Sequence, residues 1–345
     1  MVVGGDTKTN VMIAGIAGAS LGTELLKCLR HAGRYRVFGC DISPYAYGHF
    51  DDHFEATFRI DVNRYVESVL ALCQEHRIRF ILPGGEGPLT LLRAALPSLE
   101  REDIALVCNE PAVIDLCSDK SRTFDVLARH GISVPRTRVV RGSADLDEMP
   151  FPCIVKPATD SGGSSFVFFA AGRNEAMSYV DYLVRAQRIA VAQEYLPDSE
   201  GEFTVGVLSF PDGRVFGSIA LRRVLDSKLS CLMRKPGVIS TGYSQGLIDD
   251  FREVCETAER IAMAVSSRGP INVQGRVRDG KFVPFEINPR FSASTYLRAM
   301  AGFNEADIFL QHLATGKVPG RPLIRPGYYL RTLAEQFVPR EQVES

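Results

Sequence analysis

The hydrophobic pattern divides the chain into two regimes. Up to about Val134, short apolar runs alternate with helical stripes. VMIAG (11–15) reads as a buried strand, and LGTELLKCLRHAG (21–33) as a helix in which Leu21, Leu25, Leu26 and Leu29 recur at helical spacing before Gly33 closes it. YRVFGCD, ending at Asp41, is the next strand. VESVLALCQEH and LTLLRAALPSL follow as helices, with RFILP and ALVCN as strands. Such alternation predicts a parallel sheet flanked by helices. From Phe151 the pattern turns to antiparallel strands: PFPCIVKP, FVFFA, IAVAQEYL, EFTVGVL and SIALRRVL, with a helix near 173–188. A helix after Asp249 carries Phe251, Val254, Cys255, Ala258, Ile261, Ala262 and Val265 as one apolar stripe, better read as core than as a cofactor surface. INVQGRVRDGKFVPFEINPR is two strands around an Asp279-Gly280 turn. NEADIFLQHLATG predicts a closing helix ended by Gly316, and YYLRTLAEQF a short final strand.

Composition narrows the function classes. A chain of 345 residues, 45% hydrophobic and 23% charged, suits a globular protein of two or three packed units. A formal net charge of -1 supplies no general cationic field for nucleic acid or an anionic membrane, so neither is expected as a partner. The eight Cys include no C-x-x-C pair and sit in apolar segments, as at Cys28, Cys73, Cys153 and Cys255. This predicts buried thiols in a reducing compartment, not disulfides or a zinc site. MVVGGDTKTN has no apolar signal core and no apolar run is long enough to span a bilayer, so a soluble, cytoplasmic protein is expected.

Candidate chemistry gathers on the hairpin. Side chains two apart on a strand share a face, so Asn272, Gln274 and Arg276 lie together, as do Glu286, Asn288 and Arg290. One carboxylate, amide oxygens and a guanidinium suit a hard cation and phosphate. A plain half-polar hairpin would look similar, but the Pro-Arg after Asn288 and the upstream NVQ favour a site. A second cluster is the strand ending Lys156-Pro157, followed by the loop Thr159 to Ser165. In it Ser161, Gly162, Gly163 and Ser164 present N–H and hydroxyl groups with little bulk, as a polyphosphate cover requires. Lys120 stands in the first turn of a helix capped by Ser118 or Asp119, where a cation meets the dipole unfavourably and so hints at another role. No G-x-x-x-x-G-K-[ST] occurs, which disfavours an ordinary P-loop. Gly15 to Gly22, followed by Asp41, has the wrong spacing for a dinucleotide fingerprint. Glu86, in the Gly84-Gly85-Glu86-Gly87 turn, either meets a substrate amino group or faces water. Arg222 and Arg223 point to opposite faces of one strand, so at most one enters a cleft.

NVQ-G…FEINPRFSAST…AGFN resembles the last motif of the ATP-grasp superfamily, and most the branch holding the synthetase components of carbamoyl-phosphate synthetase large subunits and related carboxylate–amine ligases. Similarity runs over most of the chain. The resemblance implies an α/β fold, α+β in its C-terminal part: a Rossmann-like domain over 1–118, an ATP-grasp small lid subdomain with linker helix over 119–196, and a C-terminal subdomain with the metal site over 197–345. ATP would lie between antiparallel sheets. By the same resemblance, Mg²⁺, or Mn²⁺ in its place, falls on Gln274, Glu286 and Asn288, and Arg290 reaches the transferred phosphate. Lys120 and Lys156 hold nucleotide phosphates. Gln193, Glu194, Tyr195 and Leu196 form the adenine hinge, with Val155 against the ring and Glu202 near the ribose or the phosphates. Arg222 is the choice for the acyl phosphate.

The implied reaction phosphorylates a carboxylate, releases ADP and passes the acyl group to an amine. Its partners are the small-molecule carboxylate and amine, and a homodimer is compatible with it. Three other readings stay open: carboxyphosphate or carbamoyl-phosphate chemistry, an NAD(P)-dependent oxidoreductase, and a non-catalytic nucleotide-binding module. Neither substrate can be named from the residues.

Overall fold

The structure is a computed structural model describing residues 8–159, 166–226, 229–233 and 235–344. Two compact units emerge. The first takes the chain through Cys108 together with Gly302–Leu323 and the segment from Thr332 onward; the second takes Asn109–Ala301 and Ile324–Arg331.

The first unit is built on five parallel strands, β1 (Thr9–Ala14), β2 (Tyr35–Asp41), β3 (Ala56–Arg59), β4 (Phe80–Pro83) and β5 (Ala105–Leu106), in the order β3-β2-β1-β4-β5. Helices α1 (Leu21–Ala32), α2 (Tyr65–Glu75), α3 (Glu86–Ala94) and α4 (Leu96–Arg101) form the crossovers. The core joins Met12, Ala14, Phe38 and Ile81 to Val69, Leu92 and Leu99 from the helices. The glycine turn after β1 has a packing cause. A Cβ on Gly22 would lie 2.0 Å, and one on Gly84 1.9 Å, from the Gly15 carbonyl oxygen, so three backbones meet there. Asp41 clasps the same turn, accepting from the N–H groups of Ile16 (2.8 Å) and Ser43 (2.9 Å). Glu86 is exposed at the start of α3, where a carboxylate suits the helix dipole.

In the second unit, α5 (Pro111–Ser118) and α6 (Lys120–Arg129) precede a four-stranded antiparallel sheet of β6 (Thr137–Val140), β7 (Cys153–Pro157), β8 (Phe168–Ala170) and β9 (Ala190–Glu194), ordered β6-β9-β7-β8 and backed by α7 (Arg173–Arg185). A six-stranded sheet follows from β10 (Glu202–Ser209), β11 (Val215–Arg223), β14 (Gly246–Ile248), β15 (Pro270–Arg278), β16 (Lys281–Asn288) and β17 (Gly327–Tyr329), ordered β16-β15-β10-β11-β14-β17. A separate ribbon pairs β12 (Cys231–Met233) with β13 (Ile239–Ser240). Helix α8 (Arg252–Ala264) lays Val254, Ala258 and Ile261 on Phe203, Val205, Val273 and Ile287. The hairpin turn forms as expected, with Asp279 and Gly280 both at positive φ, 54° and 70°. Helices α9 (Thr295–Met300) and α10 (Glu305–Thr315) follow, and Gly316 closes α10 in the left-handed region.

Four points depart from the sequence reading. The first unit ends at Cys108, not at 118, because Val113 and Cys117 of α5 pack in the α8 core. Residues 302–323 join the first unit, not the C-terminal subdomain, since Asn304 donates to the Cys28 carbonyl (2.8 Å) and Tyr35 to Asp307 (2.7 Å). Strands β3, β6, β12, β13 and β14 were not anticipated, and the final strand stops at Tyr329, where its three-residue pairing with β14 ends. Among the described residues no helix is long and apolar enough to cross a membrane. All eight cysteines are free, six of them buried and Cys108 and Cys255 half-buried.

Candidate active site

Alternation along β7 sends Ile154 and Lys156 into one cleft, lined also by Lys120, Gln193, Gln274 and Glu286. Lys156 lies against Gln193 of β9, donating to its side-chain oxygen at 2.8 Å, and also to the Phe285 carbonyl at 3.1 Å. Burial pulls its pKa down to about 7; the charge of Lys120 adds to this and Glu286 opposes it. Lys120, opening α6, lines the same cleft and donates to the Ala158 carbonyl at 3.5 Å. Its helix is capped by Asp119, which accepts from the Arg122 N–H.

On the opposite wall, Gln274 of β15 pairs across with Glu286 of β16, and its amide donates to that carboxylate at 3.0 Å. The pairing then slips: Gly275 faces Pro284, leaving Phe285 as an extra residue in a β-bulge. Phe285 and Glu286 therefore both line the cleft, beside Arg276. Asn288 stands opposite Asn272, half-buried and beyond the lining residues. Asn272 is held by Thr204 (2.8 Å) and by the buried Arg298 (3.3 Å). Arg290, half-buried, donates to the Phe291 carbonyl at 2.9 Å.

Gln274, Glu286 and Asn288 offer one carboxylate and two amide oxygens. Among the described residues no group of three His, Cys, Asp or Glu is poised for a metal. By donor chemistry, one carboxylate with amide oxygens suits Mg²⁺ that draws its remaining oxygens from phosphate.

The hinge segment 193–196 lies along the cleft. The Glu194 carboxylate meets Arg278 at 2.6 Å and the Arg136 N–H at 3.0 Å, while its own N–H donates to the Arg136 carbonyl. The Leu196 carbonyl accepts from Arg276, and the Tyr195 hydroxyl accepts from the Val238 N–H at 2.8 Å.

Three expected contacts are corrected. Val155 is fully buried in the core behind the small sheet with Cys153 and Ala170, so Ile154 is the apolar residue on the cleft face. Glu202 is enclosed: Arg223 reaches it at 2.7 Å and Arg276 at 2.8 Å, and none of its side chain is exposed. Burial would raise this carboxyl, but the two guanidiniums outweigh burial and hold it below its ordinary range. Arg222 is exposed, while Arg223 turns inward, as the opposite-face argument allows. The serine-glycine loop with Ser161, Gly162, Gly163 and Ser164 lies outside the described residues.

Sequence reasoning missed Ile154, Phe285 and the stretch Val238–Ser240, all of which line the cleft. Ile154 was readable from its two-residue spacing to Lys156. Val238–Ser240 lie in a stretch whose sequence carries no helical or alternating period to mark them.

Residues 187–335 match the family described as ATP-grasp in the biosynthetic pathway with Ter operon, and residues 117–224 match the RimK-like ATP-grasp domain. The carbamoyl phosphate synthase large chain of Rubrobacter xylanophilus is 26% identical over 258 residues, covering 70% of this chain and 22% of that protein. The chain thus spans about a fifth of the length of such relatives. The biotin carboxylase–β,γ-ATP complex from Campylobacter jejuni superposes with a TM-score of 0.68 at 15% identity, covering 91% of this chain and 73% of the other. An L-amino acid ligase from Bacillus licheniformis gives 0.66 at 16%, covering 92% and 78%. Residues 117–224 and 187–335 thus each carry an ATP-grasp domain match, and the chain is homologous to carbamoyl phosphate synthase large chain and shares the fold of the biotin carboxylase and L-amino acid ligase structures.

Proposed function

We propose that this protein is an ATP-dependent ligase that phosphorylates a substrate carboxylate, releasing ADP, and passes the acyl group to an amine. The observation that carries the reading is the buried Lys156 in one cleft with Lys120, Gln274 and Glu286. Two lysine side chains and a carboxylate–amide pair line the same cleft. The purine would lie between Ile154 and Phe285. The Glu194 carbonyl and Leu196 N–H would meet its edge, since the Glu194 N–H and Leu196 carbonyl bond to Arg136 and Arg276. Magnesium held by Gln274, Glu286 and Asn288, with Mn²⁺ as its substitute, would offset the charge of the terminal phosphates.

Lys120 and Lys156 orient those phosphates while the substrate carboxylate attacks the γ-phosphorus; ADP departs and a mixed anhydride forms. The amine then adds to the activated carbonyl carbon, and phosphate leaves with its bonding electron pair. Phosphoryl transfer of this kind rests on positioning and electrostatics and needs no covalent nucleophile from the chain. The likeness to an L-amino acid ligase supports amino acids as the first carboxylates and amines to try. Homology to carbamoyl phosphate synthase keeps bicarbonate as a second candidate acid.

The test incubates protein with Mg·ATP, hydroxylamine and single candidate acids, bicarbonate included. Hydroxamate formed with ADP supports the ligase, and bicarbonate-dependent ADP release supports carboxyphosphate chemistry. AMP release would exclude both, and binding of ATP without turnover on any acid would favour a non-catalytic nucleotide module.

A further inference from the structure

Val238–Ser240, within the stretch Gly237–Thr241, make one wall of the cleft, yet the stretch lies in no sheet that could hold it except the short ribbon of β12 and β13. It is held from outside the ribbon. The Val238 N–H donates to the Tyr195 hydroxyl at 2.8 Å, and the Val238 carbonyl accepts from Arg276 at 2.8 Å. Both polar groups of one residue are thus taken by side chains from elsewhere in the chain, one from β15 and one from the residue that follows β9. Three residues on, the Thr241 carbonyl accepts from Arg223 at 2.7 Å. Both guanidiniums are anchored by Glu202, and the Ser240 side chain hydrogen-bonds that same carboxylate. The Arg276 guanidinium also lies over the Tyr195 ring, 5.1 Å from its centre. One carboxylate, two guanidiniums and one phenol therefore fix a segment that has few ladder bonds of its own.

The approach from the small sheet is tighter still. Gly237 packs against the Phe169 ring, so a Cβ there would fall 2.2 Å from a ring carbon. That ring also meets Tyr195 edge to face, with centroids 5.1 Å apart.

We propose that Glu202, Arg223, Arg276 and Tyr195 are positioning residues that set nucleotide affinity through the Val238 peptide, with the Gly237–Phe169 contact fixing how closely the wall approaches the small sheet. The proposal rests on the nucleotide reading of the cleft. It predicts a size exchange. Adding a methyl at Gly237 displaces the wall, and removing ring atoms at Phe169 lets it return.

The experiment measures the dissociation constant for Mg·ATP by calorimetry in the wild type, Gly237→Ala, Phe169→Val and the double variant, with melting temperatures alongside. Gly237→Ala is expected to weaken binding about tenfold or more, the scale of overpacking a close contact. The double variant is expected to return to within about threefold of wild type. Tyr195→Phe in the Gly237→Ala background should add less than it does alone, because both act on one peptide. A Gly237→Ala variant that binds as wild type does, or a double variant as weak as Gly237→Ala, overturns the proposal and leaves the nucleotide reading standing. Should Gly237→Ala fail to fold, restored folding with restored affinity in the double variant supports the proposal, and restored folding with weak binding overturns it. A wild-type protein that does not bind Mg·ATP overturns both.

Discussion

Lys156 offers the sharpest quantitative test. Its ammonium is buried, bonded to Gln193 and the Phe285 carbonyl, and its pKa falls from an ordinary 10.5 to about 7. If it binds phosphate, binding requires the protonated form, and the incoming negative charge raises the pKa of the complex. Above about pH 7 each molecule must then take up a proton to bind. With a free pKa of about 7, the protonated fraction is about one half at pH 7, about one in eleven at pH 8 and about one in a hundred at pH 9. The apparent dissociation constant of a non-hydrolysable ATP analogue should therefore rise roughly tenfold per pH unit between about pH 7.5 and 9. Calorimetry in buffers of different ionisation enthalpy should show uptake approaching one proton in that window. The ligand-free protein should show the opposite slope. The unfolded lysine keeps its proton up to about 10.5, so the unfolded state binds more protons between about 7 and 10.5, and folding stability rises with pH there. Lys156→Met removes both slopes. A wild-type affinity that is flat with pH, or a slope that persists in Lys156→Met, would refute the assignment of Lys156 to phosphate.

Three further outcomes follow from the same geometry. Glu286→Gln should lower turnover by roughly two to three powers of ten, the scale for one well-placed electrostatic group, in a steady-state ADP-release assay with the fold verified by circular dichroism. Glu202→Gln leaves Arg223 and Arg276 buried without their shared carboxylate; chemical denaturation should show a loss of about 3–5 kcal/mol. Gly84→Ala forces a Cβ against the Gly15 carbonyl oxygen, where no flexible side chain can yield. Thermal unfolding should report destabilisation above about 3 kcal/mol, and a stability equal to wild type would contradict the tight crossing of those backbones.

What could be read in advance, and what could not, separates along physical lines. Local chemistry was legible. Asp279-Gly280 specified the turn through its positive φ values, and Gly316 marked the end of α10 for the same reason. Two-residue spacing placed Gln274 and Arg276 on one cleft-facing surface. The same rule, applied from Lys156, points to Ile154 and away from Val155, which faces the core. The bulge at Phe285 was not legible, because a bulge depends on how two strands register against each other. The fate of Glu202 also needed three dimensions, since its partners lie 21 and 74 residues away along the chain. Glycines 15, 22 and 84 invited a ligand interpretation, but their close crossing and the Asp41 clasp account for them by packing alone.

The first unit is assembled from both ends of the polypeptide. Asn304 bonds the Cys28 carbonyl across 276 positions, and Asp307 meets Tyr35 across 272. As the chain leaves the ribosome, the five parallel strands can pair early, but the flank that α10 covers on α1 stays bare until the late helix has been made. Every strand of the intervening unit except β17 is synthesised within that interval. A pause or truncation shortly before Gly302 would thus release a half-covered parallel sheet, and substitutions in α10 should show themselves first as poor yield of soluble protein.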